Sequence, residues 1–342
     1  MSRPTRASID TCLRALIKEK EMQYKRGYIR LSALVSIKSQ ANTLSRLIGH
    51  RLVNELTNYE LEHFFNQELR EVEKSDGSRG YKDSTIKNLH NTLKQTYDLL
   101  ERQGKLRRNP FTMKVRLYKL NDRAPTMPYD IEEIKAVMSL KDDGGILEGF
   151  LFACREGLRP CELIALTESN VCLTSMSSTI LIDKSIVLGE FNKPKTDKSN
   201  RRICITQASR DILANMIDKP MAKSKFELKG ITYSERFIFV NPETATYWQS
   251  SQDYYKSLKY YFEKAGVLFR GIQPCRHTYA TTAINSGLPI VDVANHLGHS
   301  SVDTTMKHYR DVNRAVLGRH TLAHREQNDP YRDLANNTAM AA

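Results

Sequence analysis

The sequence predicts a mainly α fold with a small antiparallel β-sheet in its C-terminal part, divided into two domains of unequal size. Three observations carry that expectation. Apolar residues recur at helical spacing through most of the chain, and β-branched alternation replaces them only between Thr179 and Thr206. At 342 residues the chain exceeds one ordinary domain, and either part is long enough to bury its own core. Charge is also shared unevenly: residues 1–126 hold 25 Lys and Arg against 14 Asp and Glu, a net of +11, while residues 127–342 hold 27 against 25.

Residues 1–27 read as an N-terminal helix or separate arm, with Ile9, Leu13, Leu16 and Ile17 at helical spacing from Ala7 to about Lys25. Residues 28–111 form a compact helical set. Leu44, Leu47 and Ile48 precede Gly49, a natural helix stop, and Thr57 with Glu60 makes a capping box ahead of Leu61, Phe64, Phe65 and Leu69. After the polar turn SDGSRGYKD, a long helix opens near Ser84 and carries Ile86, Leu89, Leu93, Tyr97 and Leu100 on one stripe. Gly104 and Asn109-Pro110 end it.

Residues 112–129 contain two prolines, no clear period and several basic side chains, and read as a linker that could track a phosphate backbone. A second unit, 130–316, begins with a helix bearing Ile131, Ile134, Val137 and Met138. An apolar helix then stops at Gly157, Arg159 occupies the turn, and Pro160 opens the next helix where proline costs least. Thr179 to Val187 reads as one strand, NKPKTDKSN as a lysine-bearing turn, and Arg202 to Thr206 as the returning strand. Helices resume near Ala208 and are expected to dominate to the end, with 317–342 a weakly patterned tail.

The overall charge of +13 and pI near 9.4 point to a polyanionic partner, with the basic excess in the N-terminal part. Phosphate contacts would supply the affinity, collectively and not through any one residue. Six scattered cysteines without a CxxC pair read as reduced thiols of a cytoplasmic protein. No apolar h-region opens the chain and no run approaches the ~20 apolar residues of a membrane span, so no membrane role is expected.

The chemistry concentrates in QPCRHTYATTAINSGLPIVDVANHLGHSSVDTTMKHY, residues 273–309. Taken singly, its polar residues have ordinary explanations. Tyr309, at i+7 from Val302 and i+3 from Met306, would serve as a core tyrosine; His299 would cap a helix C-terminus after Gly298; Arg159 and Arg276 would cap or pair; Lys195, in the hairpin turn, would be solvated. Together they suit phosphate. Two guanidinium forks bind oxygens in pairs without losing charge, and preorganised donors stabilise the charge of a phosphoryl-transfer transition state. His277, His296 and His308 raise the question of zinc, but no cysteine or carboxylate completes a ligand set at the usual spacing, so no metal is expected.

The boxes Gly157-Leu158-Arg159-x-x-Glu162-Leu163, Arg276-His277-Thr278 and Leu297-Gly298-His299, followed by Tyr309, resemble those of the tyrosine recombinase (phage integrase) family, and the basic helical unit closing with Asn-Pro-Phe is similar in layout to its core-binding domain. The resemblance implies a two-domain DNA clamp: a helical core-binding domain at 28–111 and an α+β catalytic domain at 130–316. It implies a site-specific recombinase or integrase in which Tyr309 forms a 3′-phosphotyrosyl link, Arg159, Arg276 and His299 hold the phosphate, and Lys195 protonates the leaving 5′-oxygen, with Lys193 and Lys198 as fallbacks. The bond energy stays in the ester, so no cofactor is implied. Double-stranded DNA, a homotetramer on paired sites, accessory DNA-bending or directionality factors, and a bacterial or phage-encoded, nucleoid-associated setting follow by the same route. Two departures stand out: Gln273 occupies the family's histidine position and can only support by hydrogen bonding, and Tyr309 lies ten residues after His299, where nine is commoner. A type IB-like topoisomerase and a catalytically silent DNA-binding regulator on the same fold are the alternatives.

Overall fold

A computed structural model describes residues 6–74, 77–120, 127–142, 144–174, 177–193, 199–219 and 222–310, with the side chains of 307–310 outside the description. The chain divides into two compact units, Met1–Ala124 and Pro125–Ala342.

The first unit is helical: α1 (Ile9–Lys25), α2 (Leu31–Ile48), α3 (Asn58–His63), α4 (Leu69–Glu71) and α5 (Asp83–Arg102). Ser8 accepts from the Thr11 amide to start α1, and Thr57 and Glu60 form the expected reciprocal capping box on α3. Ile9, Cys12 and Leu13 are buried in the same core as Leu44, Phe65, Leu93 and Tyr97, so α1 is an integral part of the bundle and no detached arm. The helix begun by α3 does not run straight on. A π turn, Phe64–Glu68, connects it to α4, and Phe64 and Phe65 both lie in the core. On α5 the predicted stripe is fully inside, and Tyr97 hands its hydroxyl proton to the Val53 carbonyl at 3.0 Å.

The linker expectation needs correcting over 113–120. Five polar side chains of the bundle bind the main chain of this segment: Asn58 to the Met113 carbonyl, Glu62 to the Arg116 amide, Asn66 to the Arg116 carbonyl and the Tyr118 amide, Arg70 to the Tyr118 carbonyl, and Asp83 to the Leu120 amide. An extended segment without a strand partner must satisfy its peptide groups somehow, and here side chains do so. It is a strap on the first unit, not a free tether.

The second unit contains α6 (Ile131–Met138), α7 (Ile146–Glu156), α8 (Pro160–Leu163), β1 (Val171–Leu173), β2 (Ser178–Ile182), β3 (Ser185–Val187), β4 (Glu190–Asn192), β5 (Arg201–Cys204), α9 (Gln207–Asp218), β6 (Ser224–Leu228), β7 (Ile231–Glu235), β8 (Val240–Asn241), β9 (Thr246–Tyr247), α10 (Ser251–Lys264), α11 (Gln273–Asn285), α12 (Ile290–Leu297) and α13 (Val302–Arg310). Its core packs Phe150, Phe152, Tyr254 and Phe262 from α7 and α10 against Ile180, Ile203 and Phe239.

Two strand expectations change. The single strand predicted over Thr179–Val187 is two: β2 lies between β1 and β5 in an antiparallel sheet, whereas β3 folds back on β4. The pairing breaks at Asp183 and Lys184, although burial keeps alternating through Ile182, Lys184 and Ile186, and the inward Lys184 donates to Asn170 Oδ1 at 2.7 Å. Leu188 and Gly189, both at positive φ, make the tight turn. The predicted helical dominance after Ala208 is interrupted by the hairpin β6–β7, turned by Lys229 and Gly230 at φ 54° and 76°.

Candidate functional site

Two helix ends build the site. Helices α7 and α12 each terminate on a glycine in the left-handed region, Gly157 at φ 65° and Gly298 at φ 65°. At Gly157 even a methyl group is excluded, because a Cβ would stand 2.6 Å from Leu297 Cδ2 and 2.8 Å from Tyr279 Cδ1. The chain therefore turns sharply at both places, and the last carbonyls of the two helices face the arginines. Arg276, on α11 and only 4% exposed, donates through Nη1 to the Gly157 carbonyl at 2.9 Å and through Nη2 to the Leu297 carbonyl. Arg159, at the start of α8, donates through Nη2 to the Gly298 carbonyl at 3.3 Å and keeps 32% of its side chain accessible. Backbone dipoles at helix C-termini favour cations in these positions.

Glu162 ties Arg159 to Arg201. It accepts from the Arg159 amide at 3.0 Å and Arg159 Nη1 at 2.8 Å, and it takes a two-pronged contact from Arg201 at 3.1 and 3.3 Å. Arg201 in turn donates through Nε to the His296 carbonyl at 2.7 Å. Burial pushes the Glu162 carboxyl up, but Arg201 and Arg159 outweigh it and the net shift is downward. For Arg276, burial and then the neighbouring Arg159 charge lower the guanidinium to about 9, which leaves it charged at neutral pH. Arg159 and Arg201 thus share one carboxylate while Arg276 rests on main-chain carbonyls, and the surplus positive charge can attract an anion.

A cavity opens over Arg276, lined by Gln273, Arg276, His277, Ala280, Leu297, His299 and Thr305. His299 Nδ1 lies 2.7 Å from Thr305 Oγ1. Ser301 caps α13, its hydroxyl oxygen accepting from the Asp303 amide at 3.1 Å. The face of α13 differs from the sequence reading: Met306 is 44% exposed, and Thr305, at 2%, is the residue that turns inward. Tyr309 belongs to α13 one turn after Thr305; its side chain, like the whole of Lys195 and Lys198, lies outside the described residues. Lys193 directly follows β4.

Arg159, Arg276, His299 and Gln273 are thus brought together, from three separate parts of the sequence. Sequence reasoning missed Arg201 and Thr305. Arg201 offered only its place at the start of a strand; Thr305 offered its place on the tyrosine's helix, one turn before Tyr309. Behind the site, Glu156 is buried and burial raises its carboxyl to about 7, while burial lowers His296 to about 4; the His296 ring stacks on Tyr279 with centroids 4.4 Å apart. Among the described residues no group of three or more His, Cys, Asp or Glu is arranged to hold a metal ion, and no helix is long and apolar enough to cross a membrane.

A mainly helical unit that sets Arg276 and His299 around one cavity, with Arg159 beside them and a tyrosine on the following helix, has the groups that phosphoryl-transfer chemistry on a phosphodiester calls for. The model of the Phage integrase family matches residues 131–315, more than half of the chain, and the chain belongs to that family. It is 26% identical over 257 residues to the XerC-like tyrosine recombinase of Caldanaerobacter subterraneus subsp. tengcongensis, an alignment spanning 68% of this chain and 64% of that protein. It is 23% identical to the ICEBs1 integrase of Bacillus subtilis, over 73% of this chain and 67% of the relative. In fold it matches the Tn1549 transposon integrase solved with circular intermediate DNA, with a TM-score of 0.70 at 17% identity over 89% of this chain and 95% of that one. A lambda integrase tetramer bound to a Holliday junction matches with a TM-score of 0.64 at 14% identity, covering 91% and 79%.

Proposed function

We propose that the chain is a site-specific DNA recombinase or integrase that cuts and rejoins duplex DNA through Tyr309. The observation that carries this reading is that Arg276 and His299 line one cavity while Arg159 holds the Gly298 carbonyl next to His299, with positive charge in excess. The Tyr309 oxygen attacks the scissile phosphorus, its phenolic proton leaves to water, and the P–O5′ bond breaks to give a 3′-phosphotyrosyl ester. Lys195 gives its proton to the departing 5′-oxygen, with Lys193 or Lys198 as substitutes. Arg159, Arg276 and His299 hold the non-bridging oxygens as charge gathers there, and Gln273 assists as a neutral donor. A 5′-hydroxyl from the partner strand then attacks the ester and reverses the chemistry, so no external energy source enters. The basic N-terminal unit and the catalytic unit would clamp the duplex, and exchange would use four protomers on two paired duplexes, with accessory DNA-bending or directionality factors.

The test starts from duplex fragments of the DNA that surrounds the gene encoding this chain. Fragments are nicked, incubated with the full chain, and recovered as SDS-resistant protein adducts. A 3′-linked adduct that disappears in Tyr309→Phe supports the reading; an adduct that persists in that variant assigns the nucleophile elsewhere. Binding without any adduct favours the silent regulator, and relaxation of supercoiled plasmid without paired-site exchange favours the topoisomerase.

A further inference from the structure

We infer that Thr305 is a positioning residue that donates its hydroxyl proton to His299 Nδ1 and so fixes His299 in the tautomer whose Nε2–H faces the phosphate. The inference rests on the recombinase reading of the same cavity. Its ground is geometric. Thr305 Oγ1 lies 2.7 Å from His299 Nδ1, Thr305 is 2% exposed, and both residues line the cavity with Arg276. A neutral imidazole has one N–H, and the bond made by one ring nitrogen decides what the other presents. If Thr305 donates, Nε2 keeps the proton and the ring can donate to a phosphate oxygen without being protonated. If His299 instead donated to Thr305, a neutral ring would turn a lone pair toward the phosphate, which is repulsive.

The same bond has a second effect. Thr305 stands on α13 one turn before Tyr309, whereas His299 follows the C-terminus of α12. One hydroxyl therefore registers the nucleophile's helix against the phosphate-binding histidine. The charged and titratable groups that share the cavity are Arg276 and His277 from α11, and Arg159 reaches the Gly298 carbonyl from the start of α8.

Two measurements test this on the full-length chain. In nitrogen-15 spectra of histidine-labelled protein at pH 8, with His299→Gln identifying the signal, His299 should be the Nε2–H tautomer in wild type and a mixture in Thr305→Val. A wild-type Nδ1–H tautomer overturns the inference without any DNA. Next, adduct formation is followed from pH 5.5 to 8.5 on the nicked duplex recovered by the selection above. Thr305→Val should be about tenfold slower than wild type at pH 8, with the deficit shrinking as the pH falls, because a doubly protonated imidazole carries both N–H groups. Thr305→Ser should restore the wild-type profile. A Val variant that is equally slow at every pH would mean that Thr305 only packs, and one that matches wild type throughout also overturns the inference. A wild-type chain that forms no adduct, despite the expected tautomer, overturns the recombinase reading instead.

Discussion

Replacing Glu162 by Gln removes the carboxylate that Arg159 and Arg201 share and keeps its size. Glu162 is 6% exposed and accepts four hydrogen bonds, two from Arg159 and two from Arg201. The amide of glutamine can satisfy some of these through its oxygen, but its NH2 must then face guanidinium donors. Breaking one side of a buried ion pair costs about 3–5 kcal/mol. For a unit of this size each kcal/mol lowers Tm by about 2–4 °C, so a fall of roughly 10 °C is expected at pH 7. The pH dependence follows from the downward shift of Glu162. A carboxyl whose folded-state pKa is depressed contributes stability above its unfolded pKa and loses it as pH falls through the folded pKa. The gap between wild type and Glu162→Gln should therefore be constant near neutrality and close as pH is taken below about 4. Denaturant unfolding of both proteins at pH 7 and at pH 3 reads this directly. A difference under about 1 kcal/mol at pH 7, or one that persists unchanged at pH 3, would refute the shared-carboxylate argument.

Four further outcomes are expected. Tyr309→Phe should abolish the covalent adduct while leaving the dissociation constant for the recovered duplex, measured by fluorescence anisotropy, within about threefold of wild type. Gln273→His should raise the cleavage rate in single-turnover assays by about tenfold, because a histidine there can share a proton as glutamine cannot. Gly157→Ala should cost about 2 kcal/mol or more by urea midpoint, since both its φ and the approach of Leu297 and Tyr279 exclude a methyl group, whereas Gly287→Ala, at φ 88° with open space around it, should cost only about 1. Glu156→Gln should melt higher than wild type at pH 8 and equal to it near pH 4: burial raises Glu156 to about 7, so the folded state favours the protonated acid and loses stability as pH rises from the unfolded value toward 7.

The sequence made the two helix-ending glycines, the arginine turn and the order of the boxes readable, because each depends on local chemistry: a left-handed cap needs Gly157, and proline after Arg159 starts a helix. Periodicity likewise exposed the α5 stripe down to single residues. What stayed hidden depends on partners distant in the chain. The pairing changes at Asp183 and Lys184, where Asn170 accepts from the lysine, and the helix that carries Phe64 and Phe65 contains a π turn. The β6–β7 hairpin did carry a signal, alternation around Lys229-Gly230, which the surrounding helical pattern masked. Arg201 and Thr305 had no motif of their own, since their roles exist only through Glu162 and His299. The strap at 113–120 was invisible for a related reason: its order comes from bundle side chains and not from its own residues.

The carbonyls of Gly157 and Leu297 also settle a problem of competition at the site. A carboxylate would grip Arg276 more strongly, but it would then contend with the incoming anion for the same charge. A neutral oxygen aims a guanidinium and leaves its whole field available. Arg276 is thus held by groups that a phosphodiester has no need to displace, and binding can begin without an internal anion first letting go.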